Sequence, residues 1–359
     1  MIKENKYATN PINQVGFPIL LDLSAVSSTE RLLITLKEGA TTINSIPMIA
    51  DYASGYECKV NQALIDYIPP IGMPDVGTWG ASKVDGFIHT ITPHYHPISN
   101  TNDVVLDSFL VSNSKVPSYL SSQLEQSFFD KIGFLTLNSP TVISYRDEQD
   151  YLYFLNNLNP NPTSLKVIYN IQKSDDSITQ YIETIAAETN SLYVINATLD
   201  ILAEQSKVNK NDIERMSVKL YDQEDVSLTE SITFIYRTSP PLAKTLFFLT
   251  TLGVWERLTC VGQIQEQREI DAPQSEYNNR QYEIYSHSFE RIELNTGELL
   301  PGRKQYLSYQ LAHTKAIMVQ QPDGTYRGAI KTSKNFKQYD NQEAVQSLSF
   351  ELRYLETEV

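Results

Sequence analysis

His89, His94 and His96 fall within eight residues of one another, and on an extended strand His94 and His96 point to the same side. Two imidazoles on one face can hold a divalent transition metal, but a defined site needs a third or fourth ligand, which Cys58 or a nearby carboxylate would have to supply. Pro93 and Pro97 bracket the histidines, a setting that fits a surface turn better. His287 and His313 stand among polar neighbours. No Gly-x-Ser-x-Gly elbow accompanies them, so a hydrolytic triad is not expected. Asp147-Glu148 with Asp150, Asp175-Asp176, and Asp222 with Glu224-Asp225 all lie where turns are predicted. Paired carboxylates can hydrolyse glycosides when they face each other across a sugar cleft. Here they read as solvated turns, with a weak Ca²⁺ site as the alternative. There is no phosphate-binding loop or dinucleotide fingerprint. The expectation is a chain that is not an enzyme, with no catalytic residue, resident metal or cofactor.

The aromatic residues point to contact. Tyrosine is abundant, 22 residues against 13 Phe and 2 Trp. Its apolar ring and polar tip suit both half-buried sheet faces and interfaces. Among Tyr277, Tyr282, Tyr285, Tyr306 and Tyr309, subunit contact and ordinary packing are both open, with glycan stacking a third alternative. Pro69–Ala81 is rich in residues that break regular structure and carries Trp79, a residue type enriched in interface hot spots. Trp79 could equally fold back as a lid on its own domain. The candidate partner-contact residues are Trp79, His94, His96, Tyr282, Tyr285, Tyr306 and Tyr309.

At 359 residues the chain exceeds what one core organises well, and 41% hydrophobic with 20% charged residues is the make-up of an ordinary globular protein. The net charge is −14. Before Pro240 there are 16 Lys plus Arg against 28 Asp plus Glu, net −12; from Pro240 onward there are 13 against 15, net −2. Both parts repel phosphate on average, which argues against nucleic acid as a partner. Cys58 and Cys260 are far apart and read as buried small apolar residues. The start, Met1-Ile-Lys-Glu-Asn-Lys6, has no apolar core of a signal peptide, and no apolar run approaches the ~18 residues of a membrane span. Synthesis in a cytoplasm without export by a cleaved signal is the expectation.

Short strands with frequent turns dominate: Phe17–Leu23, Arg31–Lys37, Tyr151–Leu155, Leu165–Ile171 and Met216–Leu220. Tyr56–Ile68 reads as a strand running into a helical turn, and Leu192–Ala203 repeats it. Val60-Asn61 answers Ile195-Asn196 and Leu64 answers Leu199, at an offset of 135 residues. Ser108–Pro117 and Ser231–Pro240 match in the same order, which suggests a duplicated domain. Leu120, Leu124 and Phe128 give a short helix after Pro117-Ser118. Pro240-Pro241 precedes the apolar hairpin Leu246–Gly262, where a different module begins. Gly302–His313 forms one helix with Leu307 and Leu311 on one face, Gln321–Thr325 is a hairpin turn, and Leu348–Leu355 alternates as a half-buried strand. The fold class expected is mainly β: two tandem β-sandwiches followed by an α+β C-terminal domain. The boundaries are 1–117 for an arm and first sandwich, 118–149 for a connecting helix and strand, 150–239 for the second sandwich and 240–359 for the C-terminal module.

This order of segments resembles structural proteins encoded by phages and prophages of Bacteroidetes bacteria, in which tandem β-sandwich modules precede a tail-associated C-terminal domain. The segments that carry the resemblance are Tyr56–Ile68, Tyr151-Leu-Tyr-Phe-Leu155, Phe247-Phe-Leu-Thr-Thr-Leu-Gly-Val-Trp-Glu256 and Phe350-Glu-Leu-Arg-Tyr354. The chain departs from the pattern at Val254, where a second Gly is expected, and at Thr250-Thr251, where an Asn-Ser pair is expected. The resemblance implies a tail or baseplate component of a virion, assembled in the host cytoplasm by contacts with copies of itself and other virion proteins, without membrane insertion. The alternative is recognition of a host-surface glycan or protein through loops of the sandwiches.

Overall fold

Alternation of apolar and polar residues sets most strands of the chain, and a computed structural model shows what each strand packs against. The structure describes residues 8–9, 12–14, 19–22, 31–48, 57–74, 80–99, 102–115, 129, 133–136, 140–271, 274–277, 280–283, 287–299, 301–333, 336 and 346–355. The chain is mainly β, with several sheets and, among the described residues, short helices at Asn61–Tyr67, Leu199–Ser206 and Pro301–His313. It divides into two compact units: Met1–Thr136 with Tyr151–Ile235 and Thr251–Val254, and Leu137–Asp150 with Tyr236–Thr250 and Trp255–Val359.

In the first unit, strands Thr41–Met48, Leu32–Glu38, Ile88–Pro97, Phe109–Ser112 and Ile12–Gln14 lie side by side in that order. Leu32, Ile34 and Leu36 alternate inward and are fully buried, and helix Asn61–Tyr67 sets Leu64 against the same core. Further along, Ile232–Arg237, Ile213–Asp222, Ser164–Lys173 and Ile178–Ala186 form a run of antiparallel neighbours. Leu165, Val167, Tyr169 and Ile171 turn to one side of it and are buried. A separate sheet contains Tyr151–Asn156, Ser191–Asn196 and Ala81–Val84. The last strand comes from the first part of the chain and pairs with Ser191–Asn196, as Ala8–Thr9 pairs with Leu158–Asn159. These exchanges tie the two sequence halves together before any side chain is considered.

The repeated segments both fold as strand then helix: Glu57–Lys59 before Asn61–Tyr67, and Ser191–Asn196 before Leu199–Ser206. Their residue-by-residue match does not hold. Asn61 opens its helix, whereas Asn196 ends its strand and its Oδ1 accepts from Thr198 N at 2.9 Å. The helix expected over Leu120–Phe128 lies outside the described residues.

In the second unit the strands run in the order Trp255–Cys260, Lys244–Leu249, Ile317–Gln320, Tyr326–Lys331, Ser349–Tyr354, His287–Asn295 and Ile264–Asp271. Every neighbouring pair is antiparallel. Helix Pro301–His313 lays Tyr306, Leu307 and Leu311 on a core that includes Phe248, Leu258, Val319, Phe350 and Leu352. Gly324 supplies the positive φ of the Gln321–Thr325 turn, +83°. Cys58 and Cys260 are free and buried, and burial pushes both thiols up.

Candidate functional site

The hairpin Lys244–Leu249 and Trp255–Cys260 has two faces, and both are used. Leu246, Phe248, Leu258 and Cys260 face the core. Strand alternation then puts Thr245, Arg257 and Thr259 on the opposite face, where Thr245 and Thr259 sit directly across the ladder from each other. Strand Thr141–Tyr145 ends in a tight turn closed by Glu148 N donating to Tyr145 O at 3.0 Å. The two-residue spacing of Glu148 and Asp150 brings both carboxylates to Arg257.

Arg257 Nε and Nη2 reach Asp150 Oδ1 at 3.1 and 3.0 Å, and Nη1 pairs with Glu148. Glu148 Oε1 accepts from Thr245 Oγ1 at 3.0 Å and from the Thr259 hydroxyl. Its Oε2 accepts from Tyr145 N at 2.9 Å, and Ser144 Oγ donates to Asp150 Oδ2. Beside the cluster, Tyr326 OH donates to Gln149 Oε1 at 3.0 Å, and the Tyr326 ring meets Phe247 edge-on. The side chains of Arg257, Glu148 and Asp150 are 7%, 5% and 6% exposed. The solvated turns expected for these carboxylates are therefore corrected: the turn is present, but Glu148 and Asp150 point inward. Asp222 is likewise buried, its Oδ1 accepting from Glu224 N and Val226 N at 2.8 Å. Asp175 does cap an exposed turn, through Ser177 N at 3.0 Å.

Arg257 and the two carboxylates that face it are held almost wholly out of contact with water. Burial pushes the Asp150 carboxyl up to about 7, against the hydrogen bond from Ser144. Burial, and then the charge of Arg303, draw Arg257 down. Such a carboxyl would suit proton transfer near neutrality. Both its oxygens are engaged, however, and the arrangement fastens Ser144–Asp150 to the hairpin.

A pH dependence follows. A carboxyl raised on folding binds a proton more tightly in the native chain, so its stabilisation is full below the unfolded value near ~4 and is lost as pH rises through about 7. Asp150→Asn mimics the protonated form and removes that loss. Urea midpoints of the variant relative to the parent are expected to rise between pH 5 and pH 8. A constant difference across that range would rule out the assignment.

The histidines take separate partners. His89 Nδ1 lies 2.9 Å from Glu38 Oε1, and Tyr67 OH donates to the other oxygen of Glu38 at 2.9 Å. His94 Nδ1 is 3.5 Å from Asp103 Oδ2, which also takes Lys37 Nζ at 3.2 Å. His96 Nδ1 is 2.9 Å from its neighbour Pro97 O. Among the described residues no three His, Cys, Asp or Glu side chains are grouped to hold a metal. Tyr306 is buried in the core at 5% exposure, and Tyr309 stacks on His313 with ring centroids 4.3 Å apart. Tyr282 lies on strand Arg280–Glu283 opposite Ser275. Trp79 and Tyr285 fall outside the described residues. Arg257 carried no sequence-based expectation. Its signal was a lone basic residue alternating with core residues in an apolar strand.

No known protein family matches the sequence. No curated protein matches it either. Among solved structures, the chain is similar to Drosophila OTK, extracellular domains 3-5, at 8% identity with a TM-score of 0.23, covering 82% of this chain and 94% of that one. A likeness that loose carries no argument about this chain.

Proposed function

We propose that the chain is a non-enzymatic structural component of a phage virion, placed in the tail or baseplate region. It works through protein–protein contacts with copies of itself and with neighbouring virion proteins, and it is synthesised and assembled in the bacterial host cytoplasm. In this reading the two strand-rich halves of the first unit are tandem β-sandwiches, and the seven-stranded sheet with its helix is an α+β assembly module.

The observation that carries the reading is how the buried charged cluster is used. Arg257 pairs with Glu148 and Asp150 inside the protein, and the two carboxylates also accept from Thr245, Tyr145 N and Ser144, so the charges are applied to holding strands together. The resemblance of the segment order to that of phage structural proteins supports the same role. Electron microscopy of particles carrying a label on this protein is expected to show it on the tail. Label on the capsid would overturn the placement.

A further inference from the structure

The first unit's longer antiparallel run ends on Ile178–Ala186, a nine-residue strand paired residue for residue with Ser164–Gln172. Among the described residues no strand lies on its other side. A free edge presents a row of backbone donors and acceptors to any second strand, and proteins commonly guard such edges with Pro, Lys, bulges or short length. None of these guards is present. The sequence Ile-Thr-Gln-Tyr-Ile-Glu-Thr-Ile-Ala holds one charged residue, Glu183, and its nine-pair register with Ser164–Gln172 has no shift.

Glu183 is turned inward and leaves the outer positions of the strand uncharged. Its carboxylate is turned onto Gly80, leaving no room for a Cβ there, and it accepts from Ala81 N. On the outer face Ile178 and Ile182 are 70% and 50% exposed. Between them Gln180 Nε2 donates to Asn170 Oδ1 at 3.1 Å, which stiffens the edge against its neighbour.

We propose that this edge is a homotypic interface, in which Ile178–Ala186 pairs antiparallel with the same strand of a second copy about a two-fold axis at Ile182. Ile182 is the middle residue, so this register uses all nine positions. It sets Ile178 opposite Ala186, Thr179 opposite Ile185, Gln180 opposite Thr184 and Tyr181 opposite Glu183. No like charges meet. Centring on Glu183 would bring two carboxylates together, which is unfavourable across strands. A two-fold contact requires one patch to complement itself, and this strand does. The inference deepens the assembly role proposed above and rests on it for its biological meaning.

The test uses the full chain in sedimentation velocity and in oxidative cross-linking. The parent is expected to form a dimer, and Ile182→Lys, which places two lysines opposite each other on an already exposed position, to weaken it about tenfold or more. Ile182→Cys is expected to give a disulfide-linked dimer and Ile178→Cys little, because only the former faces its own copy. The native cysteines are buried and do not compete. Circular dichroism confirms that each variant keeps its strands. A monomeric parent, an Ile182→Lys dimer of parental affinity, or equal cross-linking at both positions would overturn the pairing. Each would leave the virion placement to be judged by the labelled particles.

Discussion

Replacing Arg257 with methionine is expected to destabilise the second unit by about 3–5 kcal/mol, the range for breaking a buried ion pair from one side. The shape of the side chain is roughly kept, so the loss reports charge. Glu148 and Asp150 would remain almost sealed from water with two hydroxyl donors, one backbone N–H and Ser144 for company. That falls short of compensating two negative charges. Adding Glu148→Gln and Asp150→Asn to Arg257→Met is expected to recover most of the loss, since neutral groups in the same place need no counter-charge. The deficit of the single variant is also expected to narrow toward acid pH, where Asp150 carries its proton. Chemical unfolding at pH 5 and pH 8 checks all three points. A cost under about 1 kcal/mol for Arg257→Met would mean that water reaches the cluster.

Gly253→Val should cost about 2–6 kcal/mol, as the sum of two penalties each of about 1–3 kcal/mol. Gly253 has φ +81°, where a β-branched residue is strained. An added Cβ would also meet Asn113 O at 2.6 Å and the Phe87 ring at 3.1 Å. The carbonyl cannot swing aside. Asn113 Nδ2 donates to Ile68 O at 2.5 Å, and Lys115 N donates to Thr251 O at 2.6 Å, so the backbone on both sides of the contact is held. Thermal unfolding measures the effect. A variant as stable as the parent would show that this turn can move away from Asn113. The resemblance expects a second glycine at Val254, but Val254 is fully buried. One glycine suffices because one residue takes the positive φ.

Much of the strand order along the chain was legible because its signals are local. Leu165, Val167, Tyr169 and Ile171 are apolar at every second position, and their strand faces inward on that side. The Pro-Asp-Gly turn after Gln321 and the Leu307 and Leu311 stripe of the last helix could be read the same way. The buried cluster was not legible. Asp147-Glu148-Gln149-Asp150 has the composition of a solvated turn. Its partner, Arg257, is 107 residues from Asp150. Pairing of Ala81–Val84 with Ser191–Asn196 was hidden for the same reason.

The amino-acid order therefore settled periodicity, turns, helix faces and the burial of both cysteines, because backbone geometry and side-chain polarity act over a few residues. Which strands became neighbours, which carboxylates turned inward, and which edge stayed open depended on pairings between distant segments. Those choices are set by the burial each segment finds only after the chain has folded back on itself. Glu148 and Asp150 are turned inward because Arg257 is there to receive them.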